Sequence, residues 1–328
     1  REEAAKGVGY PYNAQIFPLG MIMPKLGSSG KSRKAVPFMK TLKNLLILGV
    51  LAFSSIAQAE TTDESGMYYY DQGRATYIYE DSTPLLAEES EKAAVLETLP
   101  VGAPVTIEEN KSDYAGDKFL TKNGMELPFI KISTAGHKTG YVWAGSLAKT
   151  AIIEDLELDD KKELILSNIV YRGTKAEQNY ATLGIKVIKE GNVFDDSTFE
   201  VPYTEVSGLQ STVYVPAGFS PFIAILKENF VPGACGVLGG HVFFAWHNGY
   251  WVKGFSEDEI SDAGAFSNHV EFVFPLDRNG KMNAIKAVRT IESDFDDTTN
   301  QYKKKEEEVT VYDWQDGVFR KTASKAGD

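Results

Sequence analysis

Ala94-Val95-Leu96-Glu97-Thr98-Leu99-Pro100-Val101-Gly102-Ala103-Pro104-Val105-Thr106-Ile107 decides the fold class of this chain. A run of strand length leads into Pro100-Val101-Gly102, where the glycine is free to take positive φ, and a β-branched run resumes beyond it. Outward from this stretch the texture continues. Ala75-Thr76-Tyr77-Ile78-Tyr79 alternates upstream, and Phe129-Ile130-Lys131-Ile132 and Gly140-Tyr141-Val142-Trp143 follow downstream. Short, alternating, aromatic and β-branched runs at this spacing predict a small barrel over residues 67–150, with acidic Asp81 to Glu91 as a long loop.

The pattern Leu96-x-x-Leu99-Pro100-x-Gly102-x-x-Val105-x-Ile107, then Phe129-Ile130-Lys131-Ile132, then Gly140-Tyr141-Val142 with Leu147 after it, resembles bacterial Src-homology-3-like domains over about 80 residues. The resemblance implies a barrel in which Gly102 turns a hairpin and Gly140-Tyr141-Val142 is a late, closing strand. It implies a binding or targeting module for cell-wall components or peptides, and no catalysis.

Residues 151–162 are polar and acidic and read as a linker. Beyond them, over 163–322, strand-like runs recur at Leu164–Tyr171, Leu183–Ile188, Ser211–Val215, Phe222–Leu226, His241–Trp246, Val270–Phe274 and Val309–Trp314. Glu190-Gly191-Asn192, Asn248-Gly249, Asn279-Gly280 and Asp316-Gly317 supply turn residues tolerant of positive φ. No stretch of helical length carries an apolar stripe. The fold expected is mainly β, a small SH3-like barrel followed by a larger antiparallel β-sandwich or curled sheet.

With 43% hydrophobic and 12% aromatic residues the chain is too apolar for disorder, and a single cysteine excludes a disulfide scaffold. Met39-Lys40-Thr41-Leu42-Lys43, the apolar run Leu45 to Phe53 and Ala57-Gln58-Ala59 together read as a cleaved signal peptide over 39–59. The apolar run is far shorter than the roughly 20 residues that a membrane-spanning helix needs, so no anchor is expected. The sole cysteine, Cys235, lies too far downstream to carry a lipid. Residues 1–38 read as a disordered leader or a stretch outside the natural product. A periplasmic or secreted monomer is expected.

The first 59 residues hold 8 of the 34 basic and 2 of the 46 acidic residues, which leaves a net charge of −18 on the remainder. Such a surface repels phosphate backbones, so nucleic acid is excluded as a partner, and cationic groups and divalent metals are favoured.

Four groups of residues carry chemistry. Tyr77 and Tyr79 share a strand face, with Tyr141 and Trp143 expected nearby in the barrel; aromatic faces of this kind bind glycans and peptides by stacking, and also serve as core. Asp155, Glu157, Asp159 and Glu163 space carboxylates so that a turn can wrap them around one calcium ion, although Asp160 and Leu166 exclude an EF-hand; a solvated acidic segment is the competing reading. Cys235 with His241 or His247 would make a nucleophile and base, yet Ala234-Cys235-Gly236 sits in a Gly-rich turn with no helix to lower the thiol's pKa. His137, His241, His247 and His269 lack zinc spacing.

The functional expectation is an exported, non-enzymatic binding protein of the bacterial envelope, whose barrel contacts a cell-wall glycan or peptide. No cofactor is required, calcium being the one candidate. A cell-wall hydrolase using Cys235, and a calcium-stiffened structural protein, are the alternatives.

Overall fold

Among the described residues, extended runs separated by turn residues build a fold of antiparallel strands with a single 3₁₀ turn. The computed structural model describes residues 57–61 (backbone), 70–109, 118–203, 206–215, 217–262, 265–296, 298–299 and 301–326. The expected leader 1–38 and most of the expected signal 39–59 lie outside the described residues. The last three residues of that signal open a short strand, β1 (Ala57–Thr61). No helix among the described residues is long and apolar enough to cross a membrane.

The barrel comprises β2 (Ala75–Tyr77), β3 (Thr83–Leu86), β4 (Val95–Leu99), β5 (Pro104–Ile107), β6 (Phe119–Lys122), β7 (Met125–Thr134) and β8 (Thr139–Trp143), followed by a single 3₁₀ turn, Ala144–Ser146. Its strand order is β2-β5-β7-β8-β3-β4, with β6 added to β7. Leu85, Ile107, Ile130, Ile132 and Val142 fill its interior. Two local expectations are corrected here. Gly102 does take positive φ (77°), but β4 and β5 do not form a hairpin: β4 pairs with β3, and β5 with β2 and β7, so the segment crosses between opposite sides of the sheet. Within Asp81 to Glu91, Thr83–Leu86 is a strand and not loop, because Leu85 and Leu86 are needed inside.

A four-stranded sheet follows, β9 (Thr150–Glu154), β10 (Glu163–Lys175), β11 (Gln178–Lys189) and β12 (Asn192–Val201), in the order β12-β11-β10-β9. Residues 151–162 therefore divide between strand β9 and the turn of the β9–β10 hairpin. The largest sheet contains β13 (Val206–Val215), β14 (Ala224–Pro232), β15 (Gly239–His247), β16 (Tyr250–Asp262), β17 (Phe266–Val273), β18 (Ala284–Asp296), β19 (Gln301–Gln315) and β20 (Val318–Ala326), with β1 beside β13. Glu190-Gly191, Asn248-Gly249 and Asp316-Gly317 all take positive φ and close the β11–β12, β15–β16 and β19–β20 hairpins.

Strand β15 is buried along nearly its whole length, as a strand covered on both faces must be. Phe244 points to the four-stranded sheet, 4.7 Å from Phe199, whereas Phe243 points the other way and stacks on Phe255 at 4.5 Å. That second face is covered by the sheet's own far strands. Tyr214 of β13 stacks on Phe274 at 3.8 Å, and Phe219 meets Phe319 of β20, so the large sheet curls over itself.

The core does not break near Thr150. One buried cluster runs from Ile107 and Ile132 in the barrel through Ile165 and Ile185 to Val213 and Phe244. On the other face of β10 and β11, Leu166 and Ile188 pack on Tyr79. A Cβ at Gly102 would lie 2.7 Å from Ile188 Cδ1, and the Arg172 N–H donates to the Asn123 carbonyl at 3.1 Å. The barrel thus rests directly on the second sheet.

Candidate functional site

Strand β8 alternates, and because Val142 enters the barrel core, Tyr141 and Trp143 face outward. Trp143 is nevertheless buried at 5% exposure, since the β6–β7 hairpin folds over it: its indole N–H donates to the Leu120 carbonyl at 3.1 Å, and Lys122 Nζ stands 5.1 Å from its ring centroid. Lys122 Nζ also binds Glu80 Oε2 at 2.7 Å, an oxygen that accepts from the Ser146 hydroxyl at 2.9 Å. Between these groups and Pro84, Val95 and Phe129 opens a groove of about 200 Å3. One end is polar, with a carboxylate, an ammonium and a hydroxyl; the wall is apolar. Val95 (58% exposed) extends the apolar surface into solvent.

The structure separates the four aromatics. Trp143 lines this groove, and Tyr141 stands beside it on β8 with Lys131 Nζ 5.9 Å from its ring centroid. Tyr77 and Tyr79 belong instead to the junction with the second sheet. Tyr79 is 2% exposed, Lys186 Nζ lies 5.2 Å from its ring centroid, and burial followed by the charges of Asp196 and Glu80 pushes its hydroxyl well above the ordinary tyrosine value. Gly184 lacks a side chain where a Cβ would overlap that hydroxyl. Tyr79 is therefore core glue between layers, with no face free for stacking.

The acidic turn also rearranges. Asp155 spends both carboxylate oxygens on its own loop, accepting from the N–H groups of Asp159 (3.1 Å) and Asp160 (2.8 Å). Glu163, almost fully buried, accepts from the Leu156 N–H at 3.0 Å. Glu157, Asp159 and Glu163 do converge on one cation, and that cation is Lys189, whose Nζ lies 3.1, 3.5 and 2.9 Å from them. The hydrogen bonds to Glu163 and Glu157 hold the Lys189 ammonium well above the usual lysine value. Among the described residues, no group of three or more His, Cys, Asp and Glu side chains is arranged to hold a metal ion.

Cys235 is an exposed free thiol in the loop between β14 and β15, and among the described residues no hydrogen bond joins it to a histidine. His247, at the far end of β15, is roughly 26 Å along the strand from Gly239 at about 3.3 Å per residue. His241 Nε2 is 3.3 Å from Glu259 Oε2, and its ring meets Phe272 edge-on. Burial would raise the Glu259 carboxyl, but the hydrogen bonds from His241 and from the Val270 N–H outweigh it and hold the group below its usual range. His247 packs against Trp314. His137 takes positive φ in the β7–β8 turn. His269 lies on β17.

Sequence reasoning missed Glu80, Lys122 and Ser146. The signal for Lys122 was present: Asn123-Gly124 takes φ of 55° and 73°, the hairpin dipeptide that makes β6 and β7 partners. It also missed Glu228, which is wholly buried between the sheets, accepting from Ser167 and Ser211 hydroxyls at 2.5 Å each. Burial pushes its carboxyl up to about 7 against the opposing pull of those two hydrogen bonds.

No family model, curated protein or solved structure matches the chain.

Proposed function

We propose that this protein is an exported binding protein of the bacterial envelope, and that the Trp143 groove of its barrel takes a short segment of a cell-wall peptide or glycan. The groove itself carries this reading. An apolar wall closed at one end by Glu80, Lys122 and Ser146 suits a ligand with one apolar group and one hydrogen-bonding end. Its volume of about 200 Å3 decides the scale, because small-molecule sites usually span roughly 300–1,000 Å3. One side chain or one sugar ring of a longer polymer fits; a free cofactor does not. Export rests on the charged, apolar and small-residue segments of Met39 to Ala59.

Retention of the full chain on purified peptidoglycan tests the reading. Val95→Glu places a charge on the exposed wall and Lys122→Ala removes the ammonium from the polar end, and neither residue is part of the buried core. Both variants should melt as the parent does and elute with the unbound fraction. Parent-like retention of both would overturn the assignment.

A further inference from the structure

We infer that the open groove bounded by the β10–β11 hairpin, the end of β12 and the middle of β16 is a second binding site, for a saccharide that carries a carboxylate: Lys175 and Lys253 meet the carboxylate, and Tyr180 meets the sugar ring. The groove holds about 470 Å3, inside the range of small-ligand sites and more than twice the barrel groove. Three elements distant in sequence build it, so it exists only in the folded protein.

Its charge runs against that of the rest of the molecule. Beyond residue 59 the chain carries −18, yet here two ammonium groups face one carboxylate, Glu200. The Lys175–Glu200 pair is loose, at 3.6 Å with side chains 72% and 58% exposed, and pairs of this kind hold little energy. A ligand carboxylate can therefore take the place of Glu200. Lys253 is fixed more firmly, its Nζ donating to the Glu200 carbonyl at 2.7 Å, and partial desolvation draws its ammonium below the ordinary lysine value. An anion alongside would relieve that cost.

The aromatic wall is built as deliberately. Gly173 lies opposite Tyr180 in register, and the Tyr171 ring covers it, so that a Cβ there would come within 2.6 Å of Tyr171 Cε1. The two tyrosine rings meet at 5.7 Å. A backed aromatic ring is a suitable platform for the C–H face of a pyranose, and the neighbouring Gln178 and Asn179 amides supply donors and acceptors for its hydroxyls. At the rim, the hairpin turns through Ala176 (φ 47°) and Glu177 (φ 65°).

Titration calorimetry of the full chain with trigalacturonate and with trimannuronate tests the site, using the methyl esters as neutral controls. At least one acid should bind, its ester at least tenfold more weakly. Lys253→Gln, Lys175→Gln and Tyr180→Ala should each weaken the acid at least several-fold while melting like the parent, and Val95→Glu in the barrel groove should leave this binding unchanged. Binding of neither acid, equal binding of acid and ester, or parent-like binding by both lysine variants would overturn the site. Loss of peptidoglycan retention in Val95→Glu with intact acid binding separates the two grooves.

Discussion

Two carboxylate clusters lie along the same face of the four-stranded sheet, at Glu163 and at Ser167 four residues on along β10, and are stabilised in opposite ways. Glu163, with Glu157 and Asp159, is neutralised by an ammonium from the last residue of β11. Glu228 is met by the hydroxyls of Ser167 and Ser211, the latter also bonded to Thr150. The two hydroxyls only partly offset the burial of Glu228, and its carboxyl rises to about 7. Similar burial is thus met by an ammonium in one place and by two hydroxyls in the other.

The contrast breaks first at Lys189. Lys189→Met leaves Glu163 almost fully buried without its cation, and calorimetry should show Tm falling on the order of 5–10 °C, the scale expected for removing one partner of a buried pair from a domain of this size. Millimolar calcium should leave the parent melt unmoved, because Lys189 already occupies the convergence point, and should recover part of the loss in the variant. A calcium-dependent rise in the parent would show instead that the ion displaces the lysine.

Glu228 supplies the next effect. Its carboxyl is raised on folding, so between about 4.5 and about 7 the folded state binds more protons than the unfolded one. Stability contributed by this group is fully present below pH 4.5 and is lost as pH climbs through 7, by at most about 3 kcal/mol. Glu228→Gln keeps both serine partners and should flatten that part of the denaturation profile, with a higher Tm at pH 8. A variant whose profile still falls over the same interval would assign the dependence elsewhere.

The opposite face of the same sheet, at Gly184 of β11, sharpens the comparison, because Gly184→Ala tests whether this sheet can shift. A methyl there overlaps the Tyr79 hydroxyl and comes 2.9 Å from Val170 Cγ1, so overpacking should cost about 1–3 kcal/mol in urea titration. Tyr79→Phe removes the clashing oxygen, and part of the loss should return in the double variant. The smallest effect has the opposite sign. Replacing Ala176-Glu177 with Asn-Gly relaxes the left-handed hairpin tip and should stabilise the protein by about 1 kcal/mol.

Strand-rich architecture was readable because apolar alternation and Gly-bearing turns are local signals, and three of the four expected glycine turns close hairpins. Strands whose apolar residues are diluted by charge were not readable. Asn192–Val201 exposes Asp196 and Glu200, and Tyr250–Asp262 mixes Glu257 and Asp258 with Phe255. At the groove, Trp143 was found from its own alternation, but Glu80 and Ser146 reach it from separate turns, which no spacing reveals. Lys189 was missed for the same reason: the turn supplied the carboxylates, and the cation came from a strand nearly thirty residues on.

The placement of Tyr79 against Gly184 and Lys186 also governs the order in which the chain can fold. Synthesis delivers the barrel strands first, but the outer side of the barrel at Tyr79 is covered only by β10 and β11, roughly a hundred residues later. The early strands must therefore wait, half-covered, for their partner layer. Long sequence separation of this kind slows folding, and a ribosome-stalled fragment ending before β11 should be cut by protease within the barrel where the full chain resists.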